Sequence, residues 1–224
     1  MMARYLFVFI FLLLNSGCER ATVHFKNIDI TDNTSFANDF SLLDSHGQTK
    51  HLRDFRGKVA LLFFGYTQCP DVCPTILAEM REVMGLLGKD ADKLQVIFVT
   101  LDPERDTADL LAQYVPNFHP SFIGLRPADM VALKKITQEF KIYYSKVKEK
   151  EANRYLIDHT AGSYVFDAQG KLRLFVQHGQ GANILADDLR TLIKQERGDD
   201  WICLSSMKNL WTTAMHHMQI KKTS

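Results

Sequence analysis

The stretch Val59–Pro74, VALLFFGYTQCPDVCP, constrains the chain more than any other. Val59–Phe64 is an unbroken apolar run, and a strand without polar alternation has to be covered on both faces. It runs into Gly65 and a short polar loop that delivers Cys69 and Cys73, after which Pro74 and a helical apolar pattern follow at once. A buried strand, a loop and a helix start thus place two thiols at one end of a sheet, where open α/β folds build their sites. Such a pair is a dithiol or a soft-metal site.

The rest of the chain repeats the alternation. A first hairpin is predicted from Asp39–Leu43 and Thr49–Leu52 around the turn cluster Asp44-Ser45-His46-Gly47. Ile76, Leu77, Met80, Val83, Met84 and Leu87 follow helical spacing up to Gly88, and Leu94–Leu101 is a second buried strand. Asp102-Pro103-Glu104 carries the signature of a helix start, predicting a helix to about Tyr114. A short strand at Phe122–Leu125, a helix over Ala128–Phe140 and an extended segment at Lys141–Val147 follow. Ser163–Phe166 and Leu172–Val176 form a hairpin across Asp167-Ala168-Gln169-Gly170, and Ile184–Lys194 is a last amphipathic helix. The order predicts an α/β fold with a mixed central sheet flanked by helices.

Composition fits one domain with terminal additions. Of 224 residues, 46% are hydrophobic and 24% charged, and 27 basic against 26 acidic side chains give no argument for a nucleic-acid partner. Four cysteines are too few and too scattered for a disulfide framework. Arg4 and the apolar run Tyr5–Leu14 read as an export signal, the run being shorter than the roughly 17–25 residues that span a bilayer. Leu14-Asn15-Ser16-Gly17-Cys18 resembles a lipoprotein cleavage box, departing from it at Asn15. Residues 1–17 are therefore expected to be removed and Cys18 to carry lipid, with a plain cleaved signal as the alternative. The domain is expected at the periplasmic face of the inner membrane or free in the periplasm. Residues 18–38 read as a tether, 39–198 as the domain and 199–224 as an extension.

The thiolate is the form that binds metal or attacks a disulfide, and a helix N-terminus favours it, which points to Cys73 as the activated group. Three residues separate the cysteines, where the tight redox turn of thioredoxin-type motifs has two. Two thiolates leave a soft metal under-coordinated. His159, in Asp158-His159-Thr160, offers a third donor, and two thiolates with an imidazole suit Cu(I) and can hold Cu(II). Asp158 is a candidate to orient His159 from behind. On spacing alone His159 does not stand out from His24, His46, His51, His119, His178 or the His216/His217 pair.

Resemblance singles it out. Phe63–Pro74 (FFGYTQCPDVCP), Val99–Thr107 (VTLDPERDT) and Leu156–Gly170 (LIDHTAGSYVFDAQG), in that order, resemble the Sco/SenC family of copper-handling proteins required for cytochrome c oxidase assembly. The resemblance spans about Asp39 to Lys194. It implies a thioredoxin-like fold with an added N-terminal β-hairpin, and one copper ion on Cys69, Cys73 and His159. It further implies a metallochaperone rather than an enzyme, which delivers copper to, or reduces the cysteines of, the binuclear copper centre on the oxidase's copper-bearing subunit. An upstream copper carrier or thiol reductant would supply it. The alternative is an extracytoplasmic thiol–disulfide oxidoreductase or peroxidase on the same scaffold, which needs neither metal nor His159. In the extension, Met207, Met215, His216, His217 and Met218 are further possible copper donors, and Cys203 is a lone thiol; a frayed end without metal is the plainer expectation.

Overall fold

The protein's structure is a computed structural model that describes residues 24–31, 33, 35–148 and 155–196. The expected export signal, Cys18, Cys203 and the methionines and histidines of the expected extension lie outside these residues. Strands are β1 (Ile28–Asp29), β2 (Leu42–Leu43), β3 (Thr49–Lys50), β4 (Val59–Gly65), β5 (Leu94–Thr100), β6 (Ile123–Leu125), β7 (Tyr144–Lys148), β8 (Tyr155–His159), β9 (Gly162–Phe166) and β10 (Leu172–Gln177). Helices are α1 (Val72–Leu87), α2 (Ala108–Tyr114), α3 (Met130–Glu139) and α4 (Ala182–Glu196).

The main sheet runs β1-β10-β9-β4-β5-β6. β4 is its centre: it pairs parallel with β5 and antiparallel with β9, so the sheet is mixed. Every residue of β4 is buried. Alternation then divides them, as a period of two requires. Val59, Leu61 and Phe63 join a core that includes Ile76, Leu77 and Met80 of α1 and Leu185, Leu189 and Leu192 of α4. Ala60, Leu62 and Phe64 join a second core with Leu133 and Ile136 of α3. Helices on both faces explain why the strand carries no polar side at all.

The predicted N-terminal hairpin is present as β2–β3, with Leu42 opposite Lys50 and Leu43 opposite Thr49. The C-terminal hairpin is β9–β10. β7 and β8 form a separate antiparallel pair, Tyr144 opposite His159 and Lys148 opposite Tyr155.

Two expectations are corrected. The segment read as a tether over 18–38 is part of the domain over its described residues. Ile28 and Asp29 pair with the edge strand β10, and the buried Asp188 carboxylate accepts from the Lys26 and Asn27 backbone N–H groups at 2.9 and 2.8 Å. A two-residue strand has no periodicity to read. The helix expected from Asp102 begins instead at Ala108, capped by Thr107, whose side chain accepts from the Leu110 N–H. Residues 102–107 are a tight turn, with the Arg105 and Asp106 N–H groups both donating to the Asp102 carbonyl. The Asp102 carboxylate is buried and engaged with other side chains, so it cannot cap a helix. Among the described residues no helix is long and apolar enough to cross a membrane.

Candidate metal centre

The end of β4 and the first turn of α1 form one half of the site. After Gly65 the chain turns, the Cys69 N–H donating to the Tyr66 carbonyl at 3.2 Å, and enters α1 at Val72. Cys73 therefore lies in the first helical turn, wholly buried, while Cys69 on the loop is half-buried. Both are free thiols. Gly65 makes room for Cys73: a Cβ there would stand 2.8 Å from Cys73 Sγ and 2.9 Å from the Phe98 ring.

His159 forms the other half. It ends β8, and its Nε2 lies 3.7 Å from Cys73 Sγ. Tyr66 meets the imidazole edge-on at 6.1 Å and Phe63 stands 6.4 Å away. One donor atom from each of Cys69, Cys73 and His159 lies within 4.8 Å of the other two, the sole such cluster of three among the described residues. The structure thus brings together three of the four residues expected at the site.

Asp158 is the exception. Neighbours on a strand point to opposite faces, and Asp158 is exposed while His159 turns inward. The Thr160 carbonyl, 3.0 Å from Nδ1, takes the orienting position expected of Asp158. With Nδ1 engaged there, Nε2 is the ring nitrogen that faces the thiols.

The thiols differ in the reverse of the expected sense. Cys69, not Cys73, is held well below the usual thiol range, chiefly by the hydrogen bond from Cys73 and then by His159 and nearby backbone N–H groups. The Cys73 N–H, one of the free donors of the helix start, points at Cys69 Sγ at 3.4 Å. Cys73 is pushed up, by its bond to Cys69 and by burial. The pair thus favours negative charge on the accessible sulfur and the proton on the buried one.

The turn at 102–107 braces both halves. Asp106, fully buried, accepts from Thr67 N (3.0 Å), Thr67 Oγ1 (2.5 Å) and Thr100 Oγ1 (2.6 Å), fixing the loop ahead of Cys69. Burial pushes this carboxyl up, against those bonds. Asp102 accepts from Tyr155 Oη at 2.8 Å and from Arg105 Nε. In sequence these groups read as a helix start; the two acids four apart, with an arginine between them, are the signal of the buried network instead.

A soft ion fits what is present: two sulfur donors, one as thiolate and one able to lose its proton, and an imidazole with its second nitrogen occupied. Fold and donors together define a class, a thioredoxin-like domain with a candidate soft-metal centre at the end of its central strand. The chain belongs to the SCO1/SenC family, whose model matches residues 28–194. A SCO2-like protein of Rickettsia felis is 38% identical over 141 residues, 62% of this chain and 68% of that protein. The mitochondrial SCO2 homolog of Bos taurus is 36% identical over 155 residues, 68% of this chain and 58% of that one. Among solved structures, Bradyrhizobium japonicum ScoI with copper bound is similar with a TM-score of 0.64 and 37% identity, covering 70% of this chain and 99% of that one.

Proposed function

We propose that Cys69, Cys73 and His159 hold one copper ion and that the protein acts as a copper chaperone in the maturation of the binuclear copper centre of cytochrome c oxidase. The observation that carries this is the convergence of three soft or borderline donors, from residues 86 positions apart, at one sheet end. Family membership and the copper-bound relative support copper as the ion. Two thiolates and an imidazole favour Cu(I) and tolerate Cu(II). Copper is cargo: a half-buried thiolate at Cys69 gives an acceptor's ligands a side from which to replace this protein's own. The oxidase's copper-bearing subunit is the acceptor, and an upstream carrier or reductant the donor. The domain works outside the cytoplasm, led there by residues 1–17 and held at the membrane by lipid on Cys18.

A second reading is favoured by the asymmetry of the thiols. The Cys69 thiolate can attack a disulfide of the acceptor, forming a mixed disulfide and releasing one acceptor thiolate. Cys73, losing its proton, then displaces the second, so the acceptor gains two electrons and Cys69–Cys73 becomes a disulfide. An external thiol reductant restores it. This prepares the cysteines that receive copper and can serve the same partner.

Copper competition titration of the reduced protein tests the first reading. His159→Ala is expected to weaken Cu(I) binding by more than the about 10–100-fold that loss of a group merely supporting a ligand costs while the fold persists, and Cys69→Ala to abolish stoichiometric binding. Unchanged affinity in His159→Ala would sink the three-donor site.

A further inference from the structure

We propose that Arg105 is a positioning residue that locks the His159 half of the site to the thiol half. The two halves belong to different sheets: Cys69 and Cys73 follow β4, while His159 ends the separate β7–β8 pair. One guanidinium touches both. Arg105 Nη1 donates to Gln68 Oε1, next to Cys69, at 3.0 Å, and to the Tyr155 carbonyl, at the start of β8, also at 3.0 Å. Its plane covers the Tyr155 ring at 3.6 Å and reaches toward Tyr66 at 5.8 Å. Nε is taken by Asp102, whose other oxygen accepts from the Tyr155 hydroxyl.

Tyr155 is thus held by carbonyl, ring face and hydroxyl, and β8 runs straight from it to His159. A five-residue strand is stiff, so the position of its first residue sets that of its last. A guanidinium does this and an ammonium does not. It offers several donors in a fixed plane and stacks on an aromatic face, whereas lysine presents a mobile point charge. The Glu104–Lys146 pair also joins the turn to the hairpin, and Lys146 Nζ lies 4.6 Å from the Tyr155 ring centroid, but this partly exposed, mobile ammonium holds neither the Tyr155 carbonyl nor its hydroxyl.

The inference rests on copper being held by Cys69, Cys73 and His159, and the test separates the two. In the full chain, Cu(I) affinity is measured for Arg105→Ala, His159→Ala, the double variant and Arg105→Lys. Hydrogen exchange of the metal-free protein is followed alongside. Arg105→Ala is expected to weaken binding by about 10-fold, as loss of a group supporting a ligand does, yet to change affinity less than about two-fold when His159 is already alanine. Exchange should rise in 155–159 and stay unchanged in β4 and β5. Arg105→Lys should behave like Arg105→Ala. Equal loss in both His159 backgrounds, rescue by lysine, or unchanged exchange in β8 would each overturn positioning through His159. If His159→Ala itself leaves affinity intact, it is the metal site that fails; if it weakens binding and Arg105→Ala does not, only this inference fails.

Discussion

At Gly65 a single hydrogen decides whether the site exists. A methyl group there meets Cys73 Sγ, Phe98 and Phe63 at 2.8, 2.9 and 3.0 Å, in a core that has no room to yield. Gly65→Ala is expected to cost about 1–3 kcal/mol by overpacking and to weaken copper binding as Cys73 is displaced; a melting scan and a competition titration check both, and an unchanged pair of values contradicts the close approach. The thiols offer a second check. Cys69 is depressed and is already thiolate at about pH 8, while Cys73 is raised above its ordinary value of 9.0 and still holds its proton there. Metal binding needs both sulfurs deprotonated. One thiol proton, not two, should be released per Cu(I) at that pH; calorimetry in buffers of different ionisation enthalpy counts it. Two released protons would mean the thiols do not share the charge as described. The thiols were legible from CPDVC itself. Which of them is charged was not, because that depends on Cys73 being sealed behind the helix and Cys69 lying under its N–H groups. Asp158 failed for a similar reason: adjacency in sequence suggested a partner, and strand alternation put it on the other face.

Among elements, the hairpin β7–β8 and the turn at 102–107 act as a unit that sequence reading divided wrongly. Asp-Pro-Glu satisfies the local chemistry of a helix start, but the buried Asp102 oxygens belong to Tyr155 and Arg105, some fifty residues on and three residues on. Propensity is a local signal and loses to a buried carboxylate that has found its donors. Tyr155→Phe removes one donor from a carboxylate that is 1% exposed and is expected to cost about 1–3 kcal/mol in denaturant unfolding. Lys146→Ala, which removes only a solvated pair with Glu104 and a ring contact, should shift the midpoint much less. Equal effects would show that the hairpin is held by surface charge and not by the buried network. By contrast the strands β4, β5, β9 and β10 stood close to their predicted bounds, since continuous apolar runs and a turn cluster survive any tertiary context.

Over the whole molecule, the sheet is closed at one edge by a segment that composition had assigned to a tether. Asp188 on α4 gathers the Lys26 and Asn27 backbone N–H groups and the Asn27 side chain, within 2.8–3.1 Å, and so seats β1 against β10. Asp188→Ala is expected to cost about 2–3 kcal/mol, felt as local release of this edge: exchange of 26–30 should rise far more than that of β4, since a two-residue edge strand can open alone. Uniform loss of protection would show the edge to be inseparable from the core. The interplay of β4 and β9 has a further consequence. His159 lies just ahead of β9, whose pairing with β4 joins segments about a hundred residues apart along the chain. Contacts of that separation form late in folding, because the closure entropy is met before the contact rewards it. A chain not yet fully folded, with its cysteines free but its imidazole distant, offers two donors and not three. A three-donor site on Cys69, Cys73 and His159 would therefore exist only in the completed fold, so metal affinity in the proposed site would report on folding as well as on its donors.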